Sequence, residues 1–453
     1  MFMSAYLARH YIFTLTALYP HKGHPHHTPN DTAYQPTVSV LIPARNEEKV
    51  IRRILQRMTE LTYPKEKLEV IVIDDASTDQ TSEIAEEFAK EHEYIKVVHR
   101  SPEDGGKGKP AALNHGLKYV TREIVCCFDA DYYPQRDILE KLTVCFKDPK
   151  VGAVQGRVTV LNEPNTLVTR LVALERTGGY RVDQFARDNL GLIPQFGGTV
   201  GGFRRSLIES LGGWDADMLA EDTDLTFKVY LAGYKVRYVN DAECYEEAVE
   251  NWRSYWRQRS RWAKGHMQCA FRHLWPLVKN KNLWLREKVD GFLLLNVYFV
   301  PIFVGLAWIL GAMLFLSHPP PWIEVLWMVI PLLVYSSVGN FAPFFEIGIG
   351  AYLDGRKRIY WLIPLLLLTF MFNMLICTKA LMDLCVSKIT GKRRHAWAKT
   401  LHNGRGNSHL SDTDSQNPDK PYAQNTHISD SIPSQSQAWK TPNPQASAIP
   451  TAV

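Results

Sequence analysis

The chain has 453 residues, of which 45% are hydrophobic, 22% charged and 11% aromatic, and this balance excludes a disordered or collagen-like protein. The formal net charge is only +5, too small to indicate a nucleic-acid-binding protein. Seven scattered cysteines without CxxC spacing indicate neither a disulfide framework nor a zinc site, and predict reduced thiols in a domain that faces the cytosol.

Residues 1–36 are predicted to form an apolar segment followed by a linker. The first twenty residues are apolar but interrupted by Arg9 and His10, so the uninterrupted part is shorter than the roughly 20 residues that a transmembrane helix needs. No small-residue cleavage site follows, and a signal peptide is not expected. An interfacial helix and the remnant of a span both fit. The next residues, rich in His, Pro and Thr, indicate a linker.

Residues 37–250 alternate short runs of Val, Ile and Phe with helical patterns. This alternation predicts an α/β fold with a mostly parallel sheet covered on both faces. Ligands of such sheets bind beyond the carboxyl ends of the strands. The predicted strands are 38–43, 69–75, 94–100 and 123–131; the helices that follow them begin at Asn46, a natural N-cap, and cover 81–92, 109–120 and 136–146.

Two pairs of acids lie at predicted strand ends. Asp129 and Asp131 can converge on a divalent cation, since Mg²⁺ or Mn²⁺ prefers oxygen ligands and is often shared with substrate phosphates. Asp74 and Asp75 can accept hydrogen bonds from a nucleobase N–H or ribose hydroxyls. Solvated turn acids are the alternative for the first pair, and a helix N-cap for the second. For the second pair we expect both readings to hold: Asp74 and Asp75 face the ligand site, and a residue from 79–81 caps the helix.

Residues 105–109, GGKGK, form a glycine-rich turn before a predicted helix. Glycine lets the backbone approach a phosphate, and Lys107 and Lys109 supply positive charge. The spacing is not that of a Walker loop. A flexible, solvated loop is the alternative.

Glu221 and Asp222 lie just before another helical pattern. A carboxylate at a helix start that faces a cleft suits a general base, because the helix dipole keeps it ionised. Ordinary charge complementarity at a helix N-terminus is the alternative.

Residues 251–288 are dense in Trp and Arg and predict amphipathic helices at a membrane surface. Within them, Gln258, Arg261 and Trp262 recur at i, i+3 and i+4 and therefore share a helix face. An amide, a guanidinium and an indole side by side can hold a diphosphate and stack on a sugar ring. A purely membrane-facing helix is the alternative.

Residues 289–385 are predicted to form a transmembrane region of about three spans, at 289–316, 322–345 and 360–382, each long and nearly free of charge. Basic segments at 356–358 and 388–394 flank a single span. The positive-inside rule would place both in the cytosol, so either one segment is re-entrant or the rule fails here. Residues 386–453 are predicted to form a basic juxtamembrane segment and a disordered tail.

The motifs DDAS, GKGKPAALN, DAD, AEDTD and QRSRW occur in the order found in membrane-bound family 2 glycosyltransferases, and residues 37–275 resemble that family. The family includes the cellulose, hyaluronan, chitin and poly-N-acetylglucosamine synthases. The resemblance implies a GT-A fold and a donor that is a nucleotide-diphospho-sugar, with UDP as the expected nucleotide.

The resemblance also implies a role for each motif. The uridine would bind at Asp74 and Asp75, with Lys107 and Lys109 near the nucleotide. Asp129 and Asp131 would be the DxD metal site, with Asp131 as the direct ligand. Glu221 would contribute to substrate binding and Asp222 would be the catalytic base. Gln258, Arg261 and Trp262 match the QxxRW motif, which binds the diphosphate and lines the acceptor end, and residues 196–205 would support the acceptor.

We therefore expect a multi-pass membrane enzyme with a cytoplasmic catalytic domain. It would transfer a sugar with inversion to a growing β-linked polysaccharide. The alternatives are a lipid glycosyltransferase, favoured by the sparse N-terminal membrane region, and a non-catalytic membrane scaffold that binds nucleotide-sugars. The sugar and any partner subunit are not specified by these motifs.

Overall fold

The structure, a computed structural model, describes residues 2–20, 34–317 and 326–391. Its centre is one mixed sheet in the order β3-β2-β1-β4-β7-β6-β8-β5. β1 to β4 are mutually parallel, β7 is antiparallel to both of its neighbours, and β6 pairs in parallel with β8. The strands are β1 (Val38–Ala44), β2 (Leu68–Asp74), β3 (Ile95–His99), β4 (Ile124–Cys127), β5 (Tyr133–Pro134), β6 (Val151–Val160), β7 (Gly201–Arg204) and β8 (Lys235–Glu246).

The strand register places the first acids of the site together. Ala44 at the end of β1 lies opposite Asp74 at the end of β2, and Leu41 in β1 lies opposite Cys127 at the end of β4. The residues of β2 and β4 are all buried, as expected of strands in a sheet covered on both faces. The predicted α/β sheet is therefore confirmed. It is a mixed sheet in which the parallel strands β1 to β4 lie together at one edge.

Helices cover the sheet, and two large apolar clusters fill its two sides. A π-helical turn, Gly178–Gln184, joins two of the helices. The helices up to the last strand are α1 (Phe2–Leu18), α2 (Ile51–Glu60), α3 (Thr81–Glu91), α4 (Lys109–Leu117), α5 (Ile138–Thr143), α6 (Leu167–Thr177), α7 (Phe185–Asn189), α8 (Arg205–Ser210) and α9 (Glu221–Leu231).

The predicted N-cap at Asn46 is wrong. Helix α2 begins at Ile51, and Asn46 has a left-handed backbone with φ of 53°. Its side-chain Oδ1 accepts a hydrogen bond from the backbone N–H of Thr78 at 2.7 Å. Asn46 therefore joins the loops that follow β1 and β2, and the second of these loops supplies its own turn, since Asp79 Oδ1 accepts from the N–H of Thr81 at 3.0 Å.

The C-terminal part is helical. It contains α10 (Trp252–Lys279), α11 (Leu285–Leu295), α12 (Val300–Ser317), α13 (Leu326–Leu353) and α14 (Leu366–Thr390), with a 3-10 segment, Lys357–Leu365, before α14. Helix α1 packs along α13.

Among the described residues, one helical segment, Arg358–Thr390, is long and apolar enough to cross a membrane. Leu285–Leu295 and Val297–Met313 would qualify only together, and they are bent by 42°. The predicted span at 322–345 falls on α13 and begins outside the described residues. Three spans therefore stay a prediction. Of the predicted linker and tail, residues 21–33 and 392–453 also lie outside the described residues.

Candidate active site

A cavity of about 490 Å³ lies beyond the carboxyl ends of β1, β2 and β4, between the sheet and α9 and α10. It brings together nine of the eleven residues singled out from the sequence: Asp75, Lys109, Asp129, Asp131, Glu221, Asp222, Gln258, Arg261 and Trp262. Asp74 and Lys107 are not among the residues that line it.

Asp75 is held rigidly at one end of the cavity. Its buried carboxylate pairs with Arg100 and accepts a hydrogen bond from the backbone N–H of Gly106 at 3.1 Å. Arg45, which also lines the cavity, places Nη1 3.8 Å from Asp75 Oδ2. The glycine-rich turn thus contributes a backbone donor to Asp75.

Asp74 and Lys107 serve the surrounding loops. Asp74 accepts from the N–H of Ser77 at 3.1 Å and lies 3.2 Å from His99 Nδ1. The Lys107 ammonium is exposed and pairs with Asp104 at 2.8 Å. Consecutive residues at a strand end point to opposite faces, so only one carboxylate of the Asp74–Asp75 pair can face the cavity.

Asp129 and Asp131 each bring a carboxylate to the cavity. Asp129 pairs with Lys109, which also donates to the carbonyl of Gly198 at 2.9 Å. Burial alone would lower the pKa of Lys109, but Asp129 and Glu221 outweigh it and raise the pKa, so this lysine stays charged. Within the described ranges no three His, Cys, Asp or Glu side chains form a closed metal site. Two carboxylates fit Mg²⁺ or Mn²⁺ when a substrate phosphate completes the coordination.

Glu221 and Asp222 begin α9 at the opposite wall. Asp222 Oδ1 accepts from the N–H of Thr223 at 2.7 Å. Gly198, with φ of +85°, lies so close that a Cβ there would be 3.3 Å from Asp222 Oδ2. Burial, together with the neighbouring charge of Asp222, raises the pKa of Glu221 to about 7. Glu221 therefore binds a proton far more readily than a solvated carboxylate does.

One face of α10 forms the last wall. Gln258, Arg261 and Trp262 all line the cavity, as their helical spacing predicted. Two guanidinium groups lie over the Trp262 ring, Arg259 at 4.5 Å and Arg176 at 5.1 Å from its centroid. Cations over an indole hold its plane in one orientation, so the ring is a fixed platform inside the site.

Comparison with known proteins agrees with this geometry. A family model described as "Glycosyltransferase like family 2" matches residues 36–265. The chain belongs to glycosyltransferase family 2. The family resemblance inferred from the motifs is confirmed.

The relatives of this family 2 glycosyltransferase differ in what their names say they make. It is 41% identical to "Probable glycosyltransferase YdaM" of Bacillus subtilis over 59% of this chain and 64% of that one, slightly under two thirds of its length. It is 32% identical to the beta-monoglucosyldiacylglycerol synthase of Nostoc over 82% of this chain and 77% of that one. It is also 32% identical to the poly-beta-1,6-N-acetyl-D-glucosamine synthase of Staphylococcus epidermidis over 55% of this chain and 59% of that one.

A solved structure resembles the fold of the glycosyltransferase. The mannosyltransferase PcManGT of Pyrobaculum calidifontis, in complex with GDP-Man and Mn²⁺, superposes with a TM-score of 0.55 at 25% identity. The match covers 80% of this chain and 96% of the other. The GT-A-like architecture is therefore shared.

The motifs did not reveal several cavity residues of the glycosyltransferase. His266 lies four residues after Trp262, hence on the same face of α10, and this spacing could have identified it. Its ring stacks on Tyr298 with centroids 4.6 Å apart, and Nδ1 lies 3.4 Å from Thr223 Oγ1. Burial lowers the pKa of His266, which favours a neutral ring beside Asp222.

The Arg176–Glu246 pair is a second group that motif reading missed. Arg176 donates from Nε at 2.5 Å and from Nη2 at 3.0 Å to the Glu246 carboxylate, which also accepts from the Tyr132 hydroxyl at 2.7 Å. All three residues line the cavity. They come from α6, the end of β8 and the turn after β4, so no local spacing could have linked them.

Proposed function

We propose that this glycosyltransferase moves a hexosyl group from a nucleotide-diphospho-sugar, with UDP as the expected nucleotide, to a hydroxyl acceptor with inversion at the anomeric carbon. The observation that carries the proposal is the single cavity that joins Asp75, Asp129 with Asp131, and Asp222. A binding scaffold would not need a buried acid of raised proton affinity, Glu221, beside Asp222 in the same cavity as Asp129 and Asp131. Asp75 and the nearby glycine-rich turn are assigned to the nucleoside.

The leaving group would be stabilised between the DxD acids and α10. Asp129 and Asp131 would hold Mg²⁺ or Mn²⁺, which neutralises charge on the diphosphate when bound. Arg261 and Gln258 would donate to the diphosphate from the other side, which is charge-assisted hydrogen bonding to the departing group. The superposed neighbour solved with GDP-Man and Mn²⁺ supports a divalent cation.

Asp222 would act as the general base. Its carboxylate would take the proton of the acceptor hydroxyl while the oxygen attacks the anomeric carbon from the face opposite the diphosphate. From an α-linked donor this displacement gives a β-glycoside. Glu221 would bind substrate beside it, and the fixed Trp262 ring would stack on the acceptor sugar.

Two acceptors fit the site. A growing β-linked polysaccharide, the acceptor expected from the sequence, is supported by the stacking platform of Trp262 and by similarity to a polysaccharide synthase. A membrane lipid is supported by Leu294 and Val297, which bring an apolar wall from α11 and the bend before α12 to the cavity. It is also supported by the longer match to a lipid glycosyltransferase, over 379 residues.

We place the catalytic domain on the cytoplasmic side of a membrane, with the end of α10 and the start of α11 at its surface. Trp275, Trp284 and Leu285 are 65–77% exposed there, interspersed with Lys279, Lys281 and Arg286. Exposed aromatic and basic residues together suit the headgroup layer of a bilayer.

A donor screen tests the proposal. Detergent-solubilised protein is given each UDP-sugar or GDP-sugar with Mg²⁺ or Mn²⁺, and nucleoside diphosphate release is measured with and without acceptor. Radiolabelled product of increasing chain length indicates a polysaccharide, whereas one or two sugars on an organic-soluble lipid indicate a glycolipid. Absence of turnover with every donor, in protein that still binds nucleotide, would favour the scaffold.

A further inference from the structure

The basic segments at 356–358 and 388–394 flank the apolar helix α14, and the positive-inside rule cannot hold for both if α14 crosses the membrane. We propose that α14 lies in the plane of the membrane surface, with its outer face on the bilayer and both of its ends on the side of the catalytic domain. This inference does not depend on which reaction the enzyme catalyses.

The N-terminal end of α14 is fixed to the catalytic domain. Just before it, Arg356 pairs with Glu163 and Asp354 pairs with Arg157 of β6. The first residue of the helix, Leu366, is buried in one cluster with Leu171 and Leu174 of α6.

The middle of α14 runs beside α10. Phe372 stacks on Trp252 with centroids 5.0 Å apart and planes at 13°. Asn373 Nδ2 donates to the Tyr255 hydroxyl at 3.4 Å. Helix α10 itself borders the cavity of the catalytic domain, so α14 has not left the domain at this point.

The C-terminal end of α14 is fixed as well. Asp383 pairs with Lys264 of α10 at 2.6 Å, two residues beyond Trp262 of the active site. Only residues 384–390 of the helix follow, a length of roughly 10 Å. The hydrocarbon core is about 30 Å thick, so α14 does not carry the chain away from the catalytic domain by the thickness of a membrane.

The outer face of α14 is suited to lipid. Its exposed apolar residues include Leu368, Leu375, Met382 and Ile389, which recur every seven positions and are 49%, 62%, 62% and 84% exposed. Lys379 is exposed on the same side and pairs with Asp383 at 2.8 Å. The contacts with α10 lie on the other side of the helix. Protein holds the other side of the helix. The stripe ends near the basic residue Lys388, and Lys392, Arg393 and Arg394 follow in the sequence. Exposed apolar residues with basic residues beside them are what an anionic bilayer surface would bind.

Depth measurement distinguishes the two orientations. Spin labels are attached to Leu368→Cys, Leu375→Cys and Met382→Cys, each in a Cys385→Ser background, since Cys385 is exposed and the other six cysteines are buried. In nanodiscs with anionic lipid, we expect the same shallow depth at all three positions. A spanning helix would change depth by about 10 Å at each step, and such a gradient, or water exposure at all three positions, overturns the proposal.

Sidedness gives an independent readout. Arg358→Cys, exposed in the segment between α13 and α14, and Ser408→Cys, in the polar tail, are made separately in full-length Cys385→Ser protein. Sealed vesicles are treated with a membrane-impermeant maleimide, and detergent reveals the total reactive thiol. We expect both positions to be labelled together or protected together. Labelling of one position while the other is protected would show that α14 crosses the bilayer.

Discussion

The acids at the two ends of the cavity are held in opposite ways. At the sheet end, Asp75 pairs with Arg100 and Asp129 pairs with Lys109. At the α9 end, neither Glu221 nor Asp222 forms an ion pair with any cation in the described part of the chain. Paired carboxylates keep their charge and position, whereas an unpaired buried carboxylate gains proton affinity. This difference supports the proposal that the sheet end binds the donor and the α9 end transfers the proton.

Replacing the proposed base tests this division most directly. Asp222→Asn keeps the shape of the side chain but cannot accept the acceptor proton, so we expect kcat to fall by roughly 10²- to 10⁴-fold. Donor affinity, measured by calorimetry, should be unchanged, because the sheet end is intact. Glu221→Gln is the matched control and should lose less. Full transfer activity in Asp222→Asn would exclude the base role.

The sheet end is tested by metal dependence. In Asp131→Asn the proposed cation loses a charged ligand, and the Mn²⁺ concentration for half-maximal activity should rise by at least about tenfold. Asp74→Asn is the comparison, since Asp74 lies outside the cavity and should leave that concentration unchanged. Equal shifts in both variants would contradict the assignment of the metal to the DxD acids.

Within the described residues, a third acid of α9, Asp224, is paired, unlike Glu221 and Asp222. Asp224 binds His273 of α10 at 2.7 Å; burial alone would raise its pKa, but the hydrogen bonds from His273 and Lys228 outweigh burial and lower the pKa to about 2. Its stabilisation is therefore present above about pH 4 and is lost as the pH falls through 2. We expect Asp224→Asn to lower the free energy of unfolding at pH 7 by about 2 kcal/mol.

Chemical denaturation across pH 2–7 measures that effect. The wild type should lose stability toward pH 2 more steeply than the variant. Arg272 of α10 pairs with both Asp224 and Asp215, and Asp215 is the more exposed of the two. Asp215→Asn is therefore the control and should change stability by less. An Asp224→Asn protein as stable as the wild type would show that this contact does not hold α9 to α10.

Much of the catalytic domain could be predicted from local pattern. The strands β1, β2 and β4 are mostly apolar, and the acids after β2 and β4 meet at the carboxyl end of the parallel strands. The N-cap at Asn46 was wrong because its partner, Thr78, belongs to another loop. Which of Asp74 and Asp75 faces the cavity depends on the orientation of the strand. Two adjacent identical acids do not reveal that orientation.

Longer-range features could not be predicted in the same way. The pairing of Arg176 with Glu246, and the stacking of His266 on Tyr298, join elements that are distant in the chain. Hydropathy predicts a span at 360–382, and Arg358–Thr390 is long and apolar enough to be one, but hydropathy reports the composition of a helix and not the protein that packs along it. Contacts such as Asp383 with Lys264 supply that information.

The last test concerns the stability of the unpaired acids. The pKa of Glu221 is raised from 4.5 in a solvated carboxyl to about 7 by burial and by Asp222. Its protonated form therefore stabilises the fold fully below about pH 4.5, and this contribution is lost as the pH rises through 7. Glu221→Gln carries a permanent neutral amide, so we expect it to be more stable than the wild type at pH 8 by about 1–2 kcal/mol, with little difference at pH 4. Thermal unfolding without added metal, at both pH values, measures this. Parallel stability profiles for the two proteins would mean that the α9 end is as well compensated as the sheet end, and the contrast between them would fail.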